Sequence, residues 1–146
     1  ECSADLTVSA NIPEKYVPSP EQRMDLYRRI ALVRSEEEAD EMVSELIDRF
    51  GDPPREVIAL VNIALLRAEA AKAHIPDISQ KAGWLRFKLE DFDMERISGL
   101  YSLSKYKGRL KIEAGTSPVV ALKVNSGRVI DDAMNFVRDY TAWGKK

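Results

Sequence analysis

Apolar and polar residues alternate at the start of the chain, with Leu6, Val8 and Ala10 on one side of polar neighbours, which predicts a half-buried strand over Asp5 to Ala10. Pro13, Pro18 and Pro20 then hold the chain extended, because each fixes its own φ and turns the residue before it away from helix. Ser19 and Gln22 form a capping box with Pro20 at the first helical position, so a helix follows. Its apolar positions Met24, Tyr27, Ile30 and Ala31 recur at helical spacing, and it is expected to stop near Arg34. Ser35 with Glu38 makes a second capping box, and Glu36, Glu37 and Glu38 complement the positive end of the next helix dipole. That helix carries Ala39, Met42, Val43, Leu46, Ile47 and Phe50 as its apolar stripe and ends at Gly51. Asp52 is the expected cap of a third helix, with Pro53 in its first turn and Val57, Leu60, Val61, Ala64, Leu65 and Ala68 facing inward until about His74.

After Ile75-Pro76 the period changes from helical to alternating. Ile78 to Lys81 and Trp84 to Leu89 read as a hairpin turning at Ala82-Gly83. Asp91 to Ser104 fits a short helix, Arg109 to Ala114 and Val119 to Val124 two further strands, and Val129 to Trp143 a closing helix. The fold class is therefore α+β: an N-terminal strand and three-helix segment, then an antiparallel β-hairpin, a helix, a second β-hairpin and a helix. Residues 1–146 are read as a single domain, with 1–76 a mainly helical half and 77–146 an α+β half.

A content of 45% hydrophobic and 32% charged residues belongs to the soluble globular class, and no apolar run reaches the ~20 residues of a membrane-spanning helix. No membrane partner is expected. The lone Cys2 cannot form an internal disulfide, which suits a reducing, cytoplasmic setting. The chain opens on Glu1 instead of Met without the pattern of a secretory leader, so a segment of a longer protein is expected. A net charge of −2 gives no overall attraction to a polyanion.

Catalytic chemistry finds little support. The seven glycines are scattered, so no phosphate-binding loop is formed and no ATP or other cofactor is expected in this chain. One Cys and one His cannot supply a zinc site. His74 stands where the third helix ends, and a histidine there meets the negative end of the dipole, a structural role. Lys105-Tyr106-Lys107-Gly108-Arg109-Leu110-Lys111 interleaves cations with an aromatic, as single-strand binders do, so a nucleic-acid-binding module is the alternative reading. The plainer reading of that segment is a polar turn into a strand.

The most informative stretch is Glu45-Leu46-Ile47-Asp48-Arg49-Phe50-Gly51 followed by Pro53-Pro54. Glu45, Asp48 and Arg49 are spaced i, i+3, i+4 and share one face of the helix, opposite Met42, Leu46 and Phe50. By spacing alone this is an ordinary solvated face with a stabilising Glu45 to Arg49 pair.

Taken with Ile12-Pro13-x-x-Tyr16-Val17 and Arg23-x-x-Leu26-Tyr27-Arg28-Arg29-Ile30, that stretch resembles the carboxyl-terminal domain of bacterial transcription-repair coupling factor in order and spacing. The motif-rich part runs from about Asp5 to Ile78. The resemblance implies a non-catalytic regulatory domain of an ATP-dependent DNA translocase that displaces RNA polymerase stalled at lesions and recruits UvrA through a UvrB-like domain. It implies that this domain packs on the UvrB-like domain of the same chain, masks UvrA binding and restrains the motor until polymerase is engaged. DNA would be met through the motor. The interdomain contact maps to Glu45, Asp48 and Arg49, where a polar surface suits a clamp that must release.

Overall fold

The computed structural model describes residues 1–113, 115–125 and 127–143. The chain forms β1 (Ser3–Asp5), α1 (Pro20–Ala31), α2 (Glu36–Phe50), α3 (Arg55–Lys72), β2 (Asp77–Lys81), β3 (Trp84–Lys88), α4 (Met94–Tyr101), β4 (Leu110–Glu113), β5 (Val119–Lys123) and α5 (Val129–Trp143). The fold is α+β, as the change of period predicts. Two compact units divide it: one is residues 8–68, the other combines residues 1–7 with 69–146. The first strand and the last turn of α3 therefore belong with the sheet, because β1 pairs with β2.

In the helical unit each boundary has a local cause. Ser19 Oγ accepts from the Gln22 amide at 3.3 Å and Pro20 occupies the first turn of α1. That helix ends at Ala31 and not near Arg34, since the Leu32 and Val33 amides turn back to Arg29 and Ile30 carbonyls. Arg34 and Ser35 leave the helix so that Ser35 Oγ can accept from the Glu38 amide at 3.1 Å, capping α2. The Glu38 carboxylate accepts from the Arg34 amide at 2.9 Å, one residue earlier than a capping box requires. Gly51, at φ 84°, closes α2 by donating to the Ile47 carbonyl. Asp52 does not cap α3: the helix begins at Arg55, and the Pro54 carbonyl accepts the Val57 and Ile58 amides. Leu26, Ile30, Met42, Leu46, Val57 and Val61 are buried. Ile47, expected on the inner stripe of α2, is exposed, and Val43 and Phe50 are half-buried.

The other unit is built on a five-stranded mixed sheet of order β1-β2-β3-β5-β4. Only β1 runs parallel to its neighbour. It covers Ser3–Asp5 instead of Asp5 to Ala10, because the ladder ends where Asp5 faces Ser79 and the Thr7 amide donates to the Gln80 side chain. Leu6, Val8 and Ala10 do alternate in burial, so the pattern marks a half-covered segment without a partner strand. Ala82 and Gly83, at φ 49° and 83°, form the positive-φ pair that a tight hairpin needs. Ile78, Leu85, Phe87, Val120 and Leu122 are buried on one face, where Phe136 of α5 stacks on Phe87 at 4.2 Å between centroids. The short helix starts at Met94, later than Asp91, because Asp93 Oδ1 caps it at the Arg96 amide, and it ends at Tyr101 before a 3-10 turn over Ser104–Tyr106. The strand expected over Arg109 to Ala114 is Leu110–Glu113; Ala114 lies outside the described residues.

Candidate functional site

The quoted motifs of the first half meet around α2. The Pro13 carbonyl accepts the Tyr16 and Val17 amides, a turn that aims the Tyr16 ring at Phe50, with centroids 5.8 Å apart. Tyr16 Oη donates to the Gly51 carbonyl at 2.8 Å, with the Leu46 carbonyl at 3.2 Å. It thus occupies the Gly51 carbonyl, which lies just past the α2 ladder. Burial, with the Asp52 charge second, pushes its phenol pKa up. Tyr27 Oη accepts from the Ile12 amide at 2.8 Å, and the Arg23 guanidinium donates to the Val17 and Pro18 carbonyls. These residues fasten the proline-rich segment to the helices and so fix the pose of α2.

On α2, Glu45 and Arg49 form the expected pair, with Arg49 Nη1 donating to Glu45 Oε2 at 3.0 Å. The dominant partner of Glu45, however, is Arg29 of α1. Arg29 Nη1 donates to Oε2 at 2.6 Å and Nη2 to Oε1, a bidentate fork across two helices. Arg29 also lies 4.0 Å from Asp25. The Arg29 hydrogen bonds, helped by Arg49, hold the Glu45 carboxyl at about 2, well below its ordinary range. Arg49 in turn lies over the Phe50 ring, 4.9 Å from its centroid. Asp48 is exposed and makes no hydrogen bond or ion pair among the described residues. The structure thus brings Glu45 and Arg49 together, leaves Asp48 beside them as an open acceptor, and adds Arg29. Arg29 stands within the Arg23 to Ile30 motif, but its partner lies 16 residues away on another helix. Helical periodicity carries no information about such a pairing. Next to this cluster Leu32, Val33, Glu38, Glu41 and Met42 line a depression of about 290 Å³.

The other sequence candidates resolve differently. His74 is the left-handed residue after α3, at φ 60°, where its amide donates to the Ala71 carbonyl and the Ile75 amide to Ala70. Its ring is exposed, 3.5 Å from Glu90. The aromatic of the Lys105 to Lys111 segment is not an exposed platform: Tyr106 is buried and donates to Asp139. Lys105 pairs with Asp139 at 3.0 Å. Arg109 donates to the Lys105 and Lys123 carbonyls and to the buried Asp132 carboxylate at 3.1 Å. The segment is a turn into β4, tied down by its own cations.

A family profile described as the TRCF domain matches residues 6–100. The transcription-repair-coupling factor of Bacillus subtilis is 32% identical over 111 residues, 75% of this chain and 9% of that protein. The Mycobacterium tuberculosis protein of the same name is 32% identical over 107 residues, 70% of this chain and 9% of that one. The Escherichia coli protein is 34% identical over 89 residues, 60% of this chain and 8% of that one. The chain thus matches about a tenth of the length of these relatives. A solved C-terminal domain of transcription-repair coupling factor has the same fold, with a TM-score of 0.85 over 99% of this chain and 95% of that one at 19% identity.

Proposed function

This chain belongs to the TRCF domain family, and from that premise we propose that it is a non-catalytic regulatory domain of a transcription-repair coupling factor. It packs on the UvrB-like domain of the same parent chain, masks UvrA binding there, and restrains the DNA translocase motor until RNA polymerase is engaged. The observation that supports this reading is the Arg29-Glu45-Arg49 cluster with Asp48 beside it, exposed and unpaired among the described residues. Glu45 and Arg49 are held in one geometry before any partner arrives, so docking costs little side-chain entropy. Asp48 offers a carboxylate to a partner's cation. A polar contact of this kind gives specificity and salt-sensitive association and can be released by a competing contact.

The experiment is a calorimetric titration of this chain into the separately produced UvrB-like domain of the parent. The wild type binds; the variant with Glu45→Ala, Asp48→Ala and Arg49→Ala binds at least about tenfold more weakly, the loss expected for removing ~1.4 kcal/mol of interface energy. Equal binding by a variant with wild-type far-ultraviolet circular dichroism rejects the assignment of these residues to the contact.

A further inference from the structure

The sheet has a second face, and it is not the one α5 covers. Strand side chains alternate, so the residues of β3 that oppose Leu85 and Phe87 are Trp84, Arg86 and Lys88. Register extends the row: Trp84 faces Lys81 on one side and Lys123 on the other, and Arg86 faces Ala121, which faces Lys111. Five cations, Lys81, Arg86, Lys88, Lys111 and Lys123, thus share one face of the sheet with a single indole. All four lysines are exposed and Trp84 is half-buried. The Lys111 ammonium lies over the indole, 4.2 Å from the ring, and Arg86 pairs with Glu113 at 2.6 Å. These side chains leave an open depression of about 420 Å³ lined by Lys81, Ala82, Trp84, Arg86, Lys111 and Glu113. A second, of about 240 Å³, shares Arg86 and adds Lys88, Ser79 and Asp77. The two meet at Arg86 and make up a shallow trough on this face.

We infer that this face binds single-stranded nucleic acid, with Trp84 as the stacking platform and Lys81, Lys88, Lys111 and Lys123 on the phosphates. Charge complementarity selects a polyanion: the unit holding the sheet has fourteen basic and twelve acidic residues, while the helical unit has eight and twelve. The chain's overall negative charge therefore hides a cationic unit. The indole selects the kind of polyanion. An acidic peptide needs cations alone and has no use for the indole. A nucleic acid alternates phosphates with flat bases, which stack on an aromatic platform and whose ring N–H groups, as in thymine, can donate to the Asp77 and Glu113 carboxylates at its margin. A base takes the indole face that Lys111 now covers, and the Lys111 ammonium turns to the adjacent phosphate. The trough is shallow and open, so it suits an extended strand better than an enclosed small ligand.

The test is fluorescence anisotropy of a labelled oligothymidylate of about 16 nucleotides with the whole chain, at about 50 and about 200 mM salt. A duplex of equal length and a polyglutamate peptide are the other arms. The oligothymidylate is expected to bind more tightly than either, and less tightly at the higher salt. Trp84→Ala is expected to weaken binding about 5- to 150-fold, the loss of one stacked base. The double variant Lys88→Glu, Lys123→Glu, whose side chains are exposed and keep the fold, is expected to weaken binding and lower the salt slope by at least about 1.4. Lys107→Glu, in the turn before β4, is expected to change nothing. Absence of oligothymidylate binding, or binding indifferent to both variants, overturns the inference. Equal or tighter binding of the duplex overturns the single-strand assignment, and preferential binding of polyglutamate turns the face into an acidic-peptide site.

Discussion

The Glu45 carboxylate accepts from two guanidinium groups, Arg29 first and Arg49 second, and its pKa falls from 4.5 to about 2. A group whose folded pKa is depressed stabilises the fold above its unfolded pKa and loses that contribution as pH falls through the folded value. The Glu45 contribution is accordingly complete above pH 4.5 and vanishes on descent to about 2. About a third of the Glu45 side chain is exposed, so solvent screens the pair and the effect is smaller than the shift alone implies. Denaturant melts of wild type and Glu45→Gln are expected to differ most near neutral pH and to converge toward pH 2. A gap that stays constant across that range would remove the Arg29 fork as a source of stability. Sequence reading reaches the Glu45-Arg49 half of the cluster because an i, i+4 spacing on one helix is local. The Arg29 half depends on how α1 and α2 pack, which no spacing encodes.

Elements with both a clear period and a local stop signal are the most legible. Val129 to Trp143 repeats apolar residues at helical spacing and is α5 from end to end, and Ala82-Gly83 supplies the positive φ pair of its hairpin. Elements whose ends depend on tertiary partners shift: β1 stops where β2 stops offering a partner, and α3 starts after its two prolines instead of at Asp52. The parallel pairing of β1 with β2, across more than seventy residues, had no local signal at all. His74 combines both cases. Its place at a helix end is readable, but its left-handed conformation follows from the paired Ala71 and Ala70 carbonyls behind it. That conformation strains a residue with a Cβ and suits glycine. His74→Gly is expected to raise unfolding stability by about 0.5–1 kcal/mol in a denaturant melt, since relief of strain exceeds the added chain entropy. A loss of stability would instead give weight to the contact between His74 and Glu90.

At the scale of the whole molecule, charge and motif divide between the two units. The helical unit carries the three quoted motifs and the Arg29-Glu45-Arg49 cluster; the sheet unit carries the cationic face around Trp84. The family match ends at residue 100, so β4, β5 and α5 lie beyond it. The α+β class and element order of that stretch nevertheless follow from alternation and helical spacing, while the coming together of Trp84 with Lys111 and Lys123 depends on strand order. The linear run from Lys105 to Lys111 presents no open aromatic, because Tyr106 belongs to the core around Phe136.

If the proposed clamp exists only in the closed state of the parent protein, removing it shifts the population toward the open state by the free energy of that contact. One contact then governs two outputs. The most direct measurement is UvrA capture by the full-length parent carrying Glu45→Ala, Asp48→Ala and Arg49→Ala, read beside its ATPase rate in the absence of polymerase. The proposed regulatory role predicts that both rise together in the variant. Unchanged UvrA capture by a folded variant would contradict it and return Glu45, Asp48 and Arg49 to an ordinary solvated helix face.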